Sequence, residues 1–297
     1  STPVMTSDAS AQSTVYFTPY EGNTYYWYDP DDTAWAAATF SQLSLALDSN
    51  SGHTGYHQTG KNFDVWLDHN SGTPRIGTGA AWTNDTTRAD ALVIQDGVAL
   101  NNASVTFRFG SGAGDTVSKD AKTLVNLGSF RTTADGQTSF TFGGSDAAVN
   151  FLLWNRYNQR RHTGRAQEPD DNWNTSPTVT QSYNSNTALR VNVLKGENDS
   201  PVSVSAMGFC TQLTTNFGEV AFGLDVTNAI WSVTNHNPNV TGIANSCGLY
   251  AYGEGLVGLG FHFIQMLEIA AGTGDVTFYG DNGSTLQQSG ISVVSWQ

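Results

Sequence analysis

A chain of 297 residues with a formal net charge of −13 repels phosphate backbones and anionic bilayers, which argues against nucleic acid and membrane surfaces as partners. Only 13% of its residues are charged and 38% are hydrophobic, while 31 are glycine, a blend that suits short strands and tight turns and excludes a helical bundle. The length accommodates one large β domain or two ordinary ones, and two lobes are expected.

In chain order, Thr14-Val-Tyr-Phe17 reads as a strand, Pro19 to Gly22 as a turn, and Thr24-Tyr-Tyr-Trp-Tyr28 as a returning strand that ends at Asp29-Pro30-Asp31-Asp32. This predicts a hairpin. Leu43, Leu45 and Leu47 alternate as a half-buried strand, and Phe63-Asp-Val-Trp-Leu67 resumes the alternation after a loop rich in Gly and His. Trp82, Leu92-Val-Ile94, Val105-Thr-Phe-Arg-Phe109 and Phe140-Thr-Phe142 continue the sheet, broken by glycine clusters.

The stretch 145–165 is the one segment that reads as a helix. Ser145 can cap it, Asp146 suits the positive end of its dipole, and Arg160, Arg161 and His162 precede Gly164 at the other end. Val149, Leu153 and Tyr157 recur at helical spacing, with Phe151, Leu152 and Trp154 widening the apolar face. Residues 166–187, with Pro169, Asp170, Asp171 and Pro177, are expected to form an extended connector. Beyond it, alternation in Leu189–Val193, Val202–Ala206 and Val220–Val226, and the apolar run Gly255 to Ala271, predict further strands. The expected fold is therefore mainly β: two β-sandwich or jelly-roll-like lobes, residues 1–144 and 188–297, joined by the helix at 145–165 and the connector at 166–187.

No stretch of about 18 apolar residues predicts a membrane-spanning helix, and Ser1-Thr-Pro-Val-Met5 lacks the pattern of a Sec-type signal. Cys210 and Cys247 could pair or remain buried thiols, and either state fits two cysteines in a large β domain.

Catalytic and metal-binding patterns are weak. Gly55 to Asn62 comes within one residue of a phosphate-binding loop, but Asn62 stands where Ser or Thr would hold magnesium, and a strand follows where a helix is needed. His53, His57, Asp64, Asp68 and His69 form the densest group of possible ligands without a zinc-type spacing, so they read as a polar loop. Gly110-Ser-Gly-Ala-Gly114 does not place Ser centrally for a nucleophile elbow. Glu254, Glu268, Asp225, Asp170 and Asp171 are the carboxylates a glycosidase could draw on. Solvated or turn-capping roles account for them better, since acidic loop residues usually have such roles. The expectation is no catalytic residue, no metal site and no cofactor. Tyr25, Tyr26, Trp27 and Tyr28 are consecutive, and since strand neighbours face opposite sides, at most half can enter the core of a one-faced sheet. The rest are better explained by cross-strand packing or a subunit interface than by a sugar site, since aromatics are enriched in strands and interfaces generally.

Several phrases resemble a family of tailed-bacteriophage virion proteins of the tail-fibre-like kind. They are Tyr16-Phe-Thr-Pro-Tyr-Glu-Gly-Asn23, Phe40-Ser-Gln-Leu-Ser-Leu-Ala-Leu47, Phe63-Asp-Val-Trp-Leu67, Trp82-Thr-Asn-Asp-Thr-Thr-Arg88, Asp96-Gly97, Leu127-Gly-Ser-Phe-Arg-Thr-Thr133 and Trp154-Asn-Arg-Tyr-Asn158. Phe261-His-Phe-Ile-Gln-Met-Leu-Glu268 and Phe278-Tyr-Gly280 extend the likeness towards the end of the chain. The resemblance implies a non-enzymatic component on the virion surface, assembled in the host cytoplasm as a homo-oligomer such as a trimer, with other virion proteins and a host surface glycan as partners. A glycan-degrading tailspike and a cellular carbohydrate-binding module are the alternatives. Within this picture the 145–165 helix is a brace between lobes, and loops of the second lobe, Asn282 among them, carry specificity.

Overall fold

Strand pairing organises the chain from Ala9 to Trp296 in the computed structural model, which describes residues 5–176, 178–212, 216–236, 245–281, 283 and 287–297. Among these residues there are 26 strands and two single-turn 3₁₀ helices, Asn70–Gly72 and Tyr183–Ser185. The protein is mainly β, as composition and alternation indicate. The strands form a 15-stranded sheet, a 7-stranded sheet and two ribbons of two strands each.

The large sheet runs through Thr116–Lys119, Val105–Arg108, Arg75–Thr78, Asn62–Asp68, Leu124–Ala134, Gln137–Thr141, Val149–Phe151, Arg190–Lys195, Gly260–Ala271 and Val179–Ser182. It passes from the first half of the chain to the second where Val149–Phe151 lies parallel to Arg190–Lys195, with Phe151 opposite Val193. The smaller sheet is built on Arg161–Gln167, Gly290–Trp296, Val202–Gln212 and Asn245–Gly255. Side chains of both sheets form the largest apolar cluster, in which Val191, Val220, Phe222, Ile264 and Met266 meet Val204, Ala206, Leu249, Ala251, Ile291 and Val293. A second cluster, from Val15 to Phe130, fills the first half beneath the ribbons Thr14–Phe17 with Leu43–Ala46 and Thr24–Asp29 with Ala34–Thr39.

The expected helix at 145–165 is absent. Val149–Phe151, Leu153–Asn155 and Arg161–Gln167 are strands in its place. Ser145 bridges Gln167, and Asp146 sits in a turn at φ +51° rather than at a helix start. The apolar run 149–154 satisfies both periodicities, and pairing with Gln137–Thr141, Arg190–Lys195 and Leu124–Ala134 decides between them. The basic end follows a strand rhythm: Arg161, Thr163 and Arg165 are exposed, whereas His162, Gly164 and Ala166 are buried. Residues 166–187 are likewise not a free connector, because Asn172–Thr175 and Val179–Ser182 join the small and large sheets respectively. Pro177 lies outside the described residues. The early hairpin is also displaced: Asp29–Asp32 turns the ribbon of Thr24–Asp29 with Ala34–Thr39, its Asp29 carboxylate accepting from the Asp31 N–H at 3.0 Å.

Charged groups enter the interior with partners. Arg108 pairs with Asp48 at 3.0 Å, each side chain 2% exposed, and also donates to the carbonyls of Thr54, Gly110 and Gly112. Arg88 grips Asp64 through Nε at 3.1 and 3.0 Å and reaches the Gly196 carbonyl at 2.7 Å, while Ser129 donates to Asp64 at 2.7 Å. Burial nonetheless holds the Asp64 carboxyl above its usual range. The Cys210 and Cys247 sulfurs lie 3.2 Å apart at directly opposed positions of two antiparallel strands, as free thiols.

Two outcomes are expected. His57 is fully buried, its Nδ1 accepts from the Asp48 N–H at 2.8 Å, and its Nε2 therefore donates to Thr78 at 3.1 Å. Burial first, then the Arg108 charge, lowers its pKa from 6.5 to about 4, so below pH 6.5 the unfolded chain takes up a proton that the folded one refuses. Stability from this residue is complete above the unfolded value and lost as pH falls towards the folded one, by roughly 3 kcal/mol in all. Urea melts between pH 7 and pH 4 should show His57→Asn losing less stability than the wild type over this window; equal losses would contradict the assignment. Trp154 is 2% exposed, and its indole lies so close against Gly196 that a Cβ there would overlap the ring. Trp154→Ala should lower stability by about 3–5 kcal/mol in denaturant melts.

Candidate functional site

Burial along Thr24–Asp29 departs from strict alternation and distributes its four aromatic rings unequally. Tyr25 and Tyr28 are 7% exposed and Trp27 is partly covered, but Tyr26 is 59% exposed. Tyr25 packs edge-on against Phe40 and bonds His69 Nδ1 at 2.7 Å, Trp27 stacks on the same imidazole at 4.0 Å, and Tyr28 meets Trp35 edge-on. Only Tyr26 is turned away from this cluster. It forms part of a cleft of about 460 Å³, one wall of which is the segment 17–26 and the other the segment 155–158. The floor is apolar, made by Phe40, Leu67, Val98, Val125 and Leu127.

Local chemistry shapes each wall. Pro19 and Gly22 break the strand after Phe17, and Phe17 stacks on Phe40 at 4.8 Å, so the residues between them project as a loop that carries Tyr20. On the opposite wall the Asn155 side-chain oxygen Oδ1 accepts from the N–H groups of Tyr157 and Asn158, both at 3.0 Å, which makes a tight Asx turn. That turn pushes Tyr157 outward to 51% exposure, its oxygen accepting from the Ala99 N–H at 3.2 Å. Burial raises the Tyr157 pKa and keeps its phenol protonated. Arg160 connects the walls: its guanidinium lies 4.5 Å from the centre of the Tyr20 ring and donates to Glu21 at 2.9 Å. The phenols of Tyr20 and Tyr26 and the side-chain amide of Asn158 have no hydrogen-bond partner among the described residues.

The cleft combines exposed ring faces, an apolar floor and unpaired hydroxyl and amide groups. It can therefore hold a small molecule that is apolar on one face and polar at its edge. Glu21 is the one carboxylate among the residues lining it, and Arg160 already engages that group. Two of the segments singled out in the sequence, 16–23 and 154–158, are brought face to face here. Asn155, Tyr157 and Asn158 were assigned to a helix by periodicity, yet the Asn-x-Tyr-Asn spacing is itself an Asx-turn signal.

The other candidates are spread over several places, and among the described residues only Glu268 and Asp170 of the candidate carboxylates share a partner, Asn184. Glu268 is fully buried and accepts from Trp173, Thr175, Gln181 and the Asn184 N–H. Asp170 accepts from Asn184, Asp225 pairs with His262 at 2.7 Å, and Glu254 accepts from Ser203. Asp171 is exposed near Gly283. Of the possible metal ligands, His53 pairs with Asp48, Asp64 with Arg88, Asp68 with Arg75 and Lys119, and His57 and His69 make the contacts already described. Gly60 and Lys61 lead straight into the strand Asn62–Asp68, with no helix to face a phosphate. Asn282 lies outside the described residues. A second exposed aromatic patch, Tyr250 and Tyr252 beside Asn235 and His236, lies on the outer face of the small sheet.

No protein-family model matches the chain, and no curated protein does. Among solved structures, that of the infectious bursal disease virus Gx strain is similar with a TM-score of 0.31 at 9% identity, covering 100% of this chain and 78% of that one. The insecticidal delta-endotoxin Cry8Ea1 from Bacillus thuringiensis is similar with a TM-score of 0.22 at 7% identity, covering 100% of this chain and 54% of that one. Likenesses this distant carry no argument about fold or function.

Because the Asn155 side chain supplies both turn hydrogen bonds, Asn155→Ala should cost about 1–2 kcal/mol. Arg160→Ala, which removes an exposed pair, should cost less than about 1 kcal/mol. Thermal melts of the two variants check the ranking, and the reverse order would place the rigidity of the cleft in the Arg160 bridge.

Proposed function

We propose that the chain is a non-enzymatic structural and adhesive component on the outside of a phage or phage-like virion, such as a tail fibre, head fibre or decoration protein. It works as a homo-oligomer, most simply a trimer, held among other virion proteins, and meets a host surface glycan. The observation that carries this reading is the tyrosine-rimmed cleft between 17–26 and 155–158, a preformed concavity on a strand scaffold. Its walls come from two of the stretches that resemble phage virion proteins, 16–23 and 154–158. Binding is favoured over cleavage because glycoside hydrolysis commonly needs a pair of carboxylates flanking one bond, and the cleft lining offers Glu21 alone. Exposed Tyr16, Met207, Tyr250 and Trp296 support assembly, since apolar surface of this kind is commonly covered by another subunit.

Immunogold labelling of particles, competition of attachment by the purified protein, and assay of new reducing ends from host surface polysaccharide test the reading together. Gold on the particle exterior, blocked attachment and no release of reducing ends are expected. Time-dependent release abolished by changing a carboxylate would identify a glycan-degrading tailspike instead. Absence of label from particles would point to a cellular carbohydrate-binding module. Light scattering should give a multiple of the chain mass, and a monomer across micromolar concentrations would remove the oligomer from the proposal.

A further inference from the structure

We infer that the ligand of the cleft between 17–26 and 155–158 is a neutral saccharide, held by stacking on the Tyr26 and Tyr157 rings and by hydrogen bonds to Asn158 and the free phenols. The inference rests on the reading of this cleft as the recognition site and adds the chemical class of what it takes.

Three features of the cleft select that class. The first is charge. Arg160 and Glu21 are 2.9 Å apart and cancel at the rim, so neither an anionic nor a cationic ligand finds an unpaired counter-charge there. The net charge of −13 further disfavours acidic sugars and phosphorylated ligands.

The second is the alternation of surface types. The floor of Leu67, Val98, Val125 and Leu127 is apolar, while Tyr20, Tyr26 and Asn158 present polar atoms that no described residue satisfies. A wholly apolar ligand would bury those atoms without partners, and a buried unsatisfied polar group costs more than the hydrogen bond it forgoes. A wholly polar ligand would leave the floor and the ring faces in water. A pyranose ring has both parts: a flat patch of C–H groups and a rim of hydroxyls.

The third is preorganisation. Tyr157 is held by its bond from Ala99 and by the Asx turn of Asn155, so its ring is fixed before anything binds. Tyr20 is held by Arg160 on one side of its ring. Binding residues fixed in advance lose little conformational entropy when a ligand arrives.

The test uses the full chain and a printed panel of neutral and acidic glycans, followed by calorimetric titration of the best neutral and the best acidic binder. Binding confined to neutral glycans is expected, with Tyr26→Ala weakening it at least about tenfold, as a stacking hot spot should. Its thermal melt should stay unchanged, because the ring is largely exposed and its loss leaves the core intact. Tyr157→Phe keeps the ring and should weaken binding less than Tyr157→Ala. Tighter binding of acidic glycans, binding to no neutral glycan, or neutral binding indifferent to Tyr26→Ala would each overturn the inference. Attachment by particles carrying Tyr26→Ala separates this outcome from failure of the broader reading. If attachment is lost while no neutral glycan binds or competes, the cleft recognises another class of ligand; if attachment is unaffected, the cleft is not the recognition site.

Discussion

The strand Leu124–Ala134 can serve several partner strands because residue 128 has no side chain. At Gly128 a Cβ would overlap the Trp154 carbonyl oxygen, so any other residue would push Leu153–Asn155 off its register. Asn62–Asp68 pairs along the same strand, with a register shift between Asn126 and Gly128 that bends it, and Val125 also meets Leu100. Beyond the bend its last residues pair with Gln137–Thr141 and lead into the strands that join the second half. Val125 and Leu127, just before the bend, are the centre of the cleft floor, and Asn155, opposite Gly128, begins the cleft wall. One missing Cβ thus lets Leu153–Asn155, which begins one wall of the site, lie in register on the strand that supplies part of its floor.

The halves of the chain are locked near this bend by contacts that mix charge with packing. Asp64 holds Arg88, Arg88 reaches the Gly196 carbonyl, and Gly196 lies against the Trp154 indole. A second lock lies nearby: Arg131 binds Asn62 and Asp85 while its guanidinium stacks over Phe261 at 3.7 Å, and the Phe261 N–H donates to the Asp85 carbonyl. Buried ionic groups of this kind contribute less net stability than their distances suggest, since desolvation opposes the attraction. What they do is penalise alternatives, because separating the halves would take the Arg88 donor from the Gly196 carbonyl and the Arg131 guanidinium from the Phe261 ring. Trp154 packs against Gly196 of the second half from the strand Leu153–Asn155, not from the expected helix.

Acidic side chains have a different task in the second half. Residues 166–187 are poor in apolar groups, and their attachment to the sheets depends on carboxylates: Glu268 gathers Trp173, Thr175, Gln181 and Asn184, and Glu168 gathers Asn184 and Asn186. Satisfied networks of this sort fix geometry where hydrophobic burial is scarce. They also account for carboxylates that a search for paired acids would single out, since Glu268 spends its oxygens on holding a turn.

Alternation of residue types along Phe63–Leu67, Leu189–Val193, Val202–Ala206 and Val220–Leu224 was readable directly, because successive residues of a strand face opposite sides, even though Asn62–Asp68 is buried along its whole length. So were the mainly β class and the rule that not all of Tyr25 to Tyr28 could be buried. The segment 149–154 was not readable, because its five apolar residues, interrupted only by Asn150, obey a helical and a strand period alike, and only the backbone groups of Gln137–Thr141 and Arg190–Lys195 select one. The polar segment 166–187 was misread for a related reason: its strands are stabilised by distant carboxylates, and a distant partner leaves no local pattern. The cleft followed the same division. Strand geometry implied that not every ring of the run 25–28 could enter the core, but the cleft that Tyr26 shares with Tyr157 is assembled from turns some 130 residues apart in the chain. Local periodicity is written residue by residue, whereas a site assembled from two remote turns exists only once long-range pairing has brought them together.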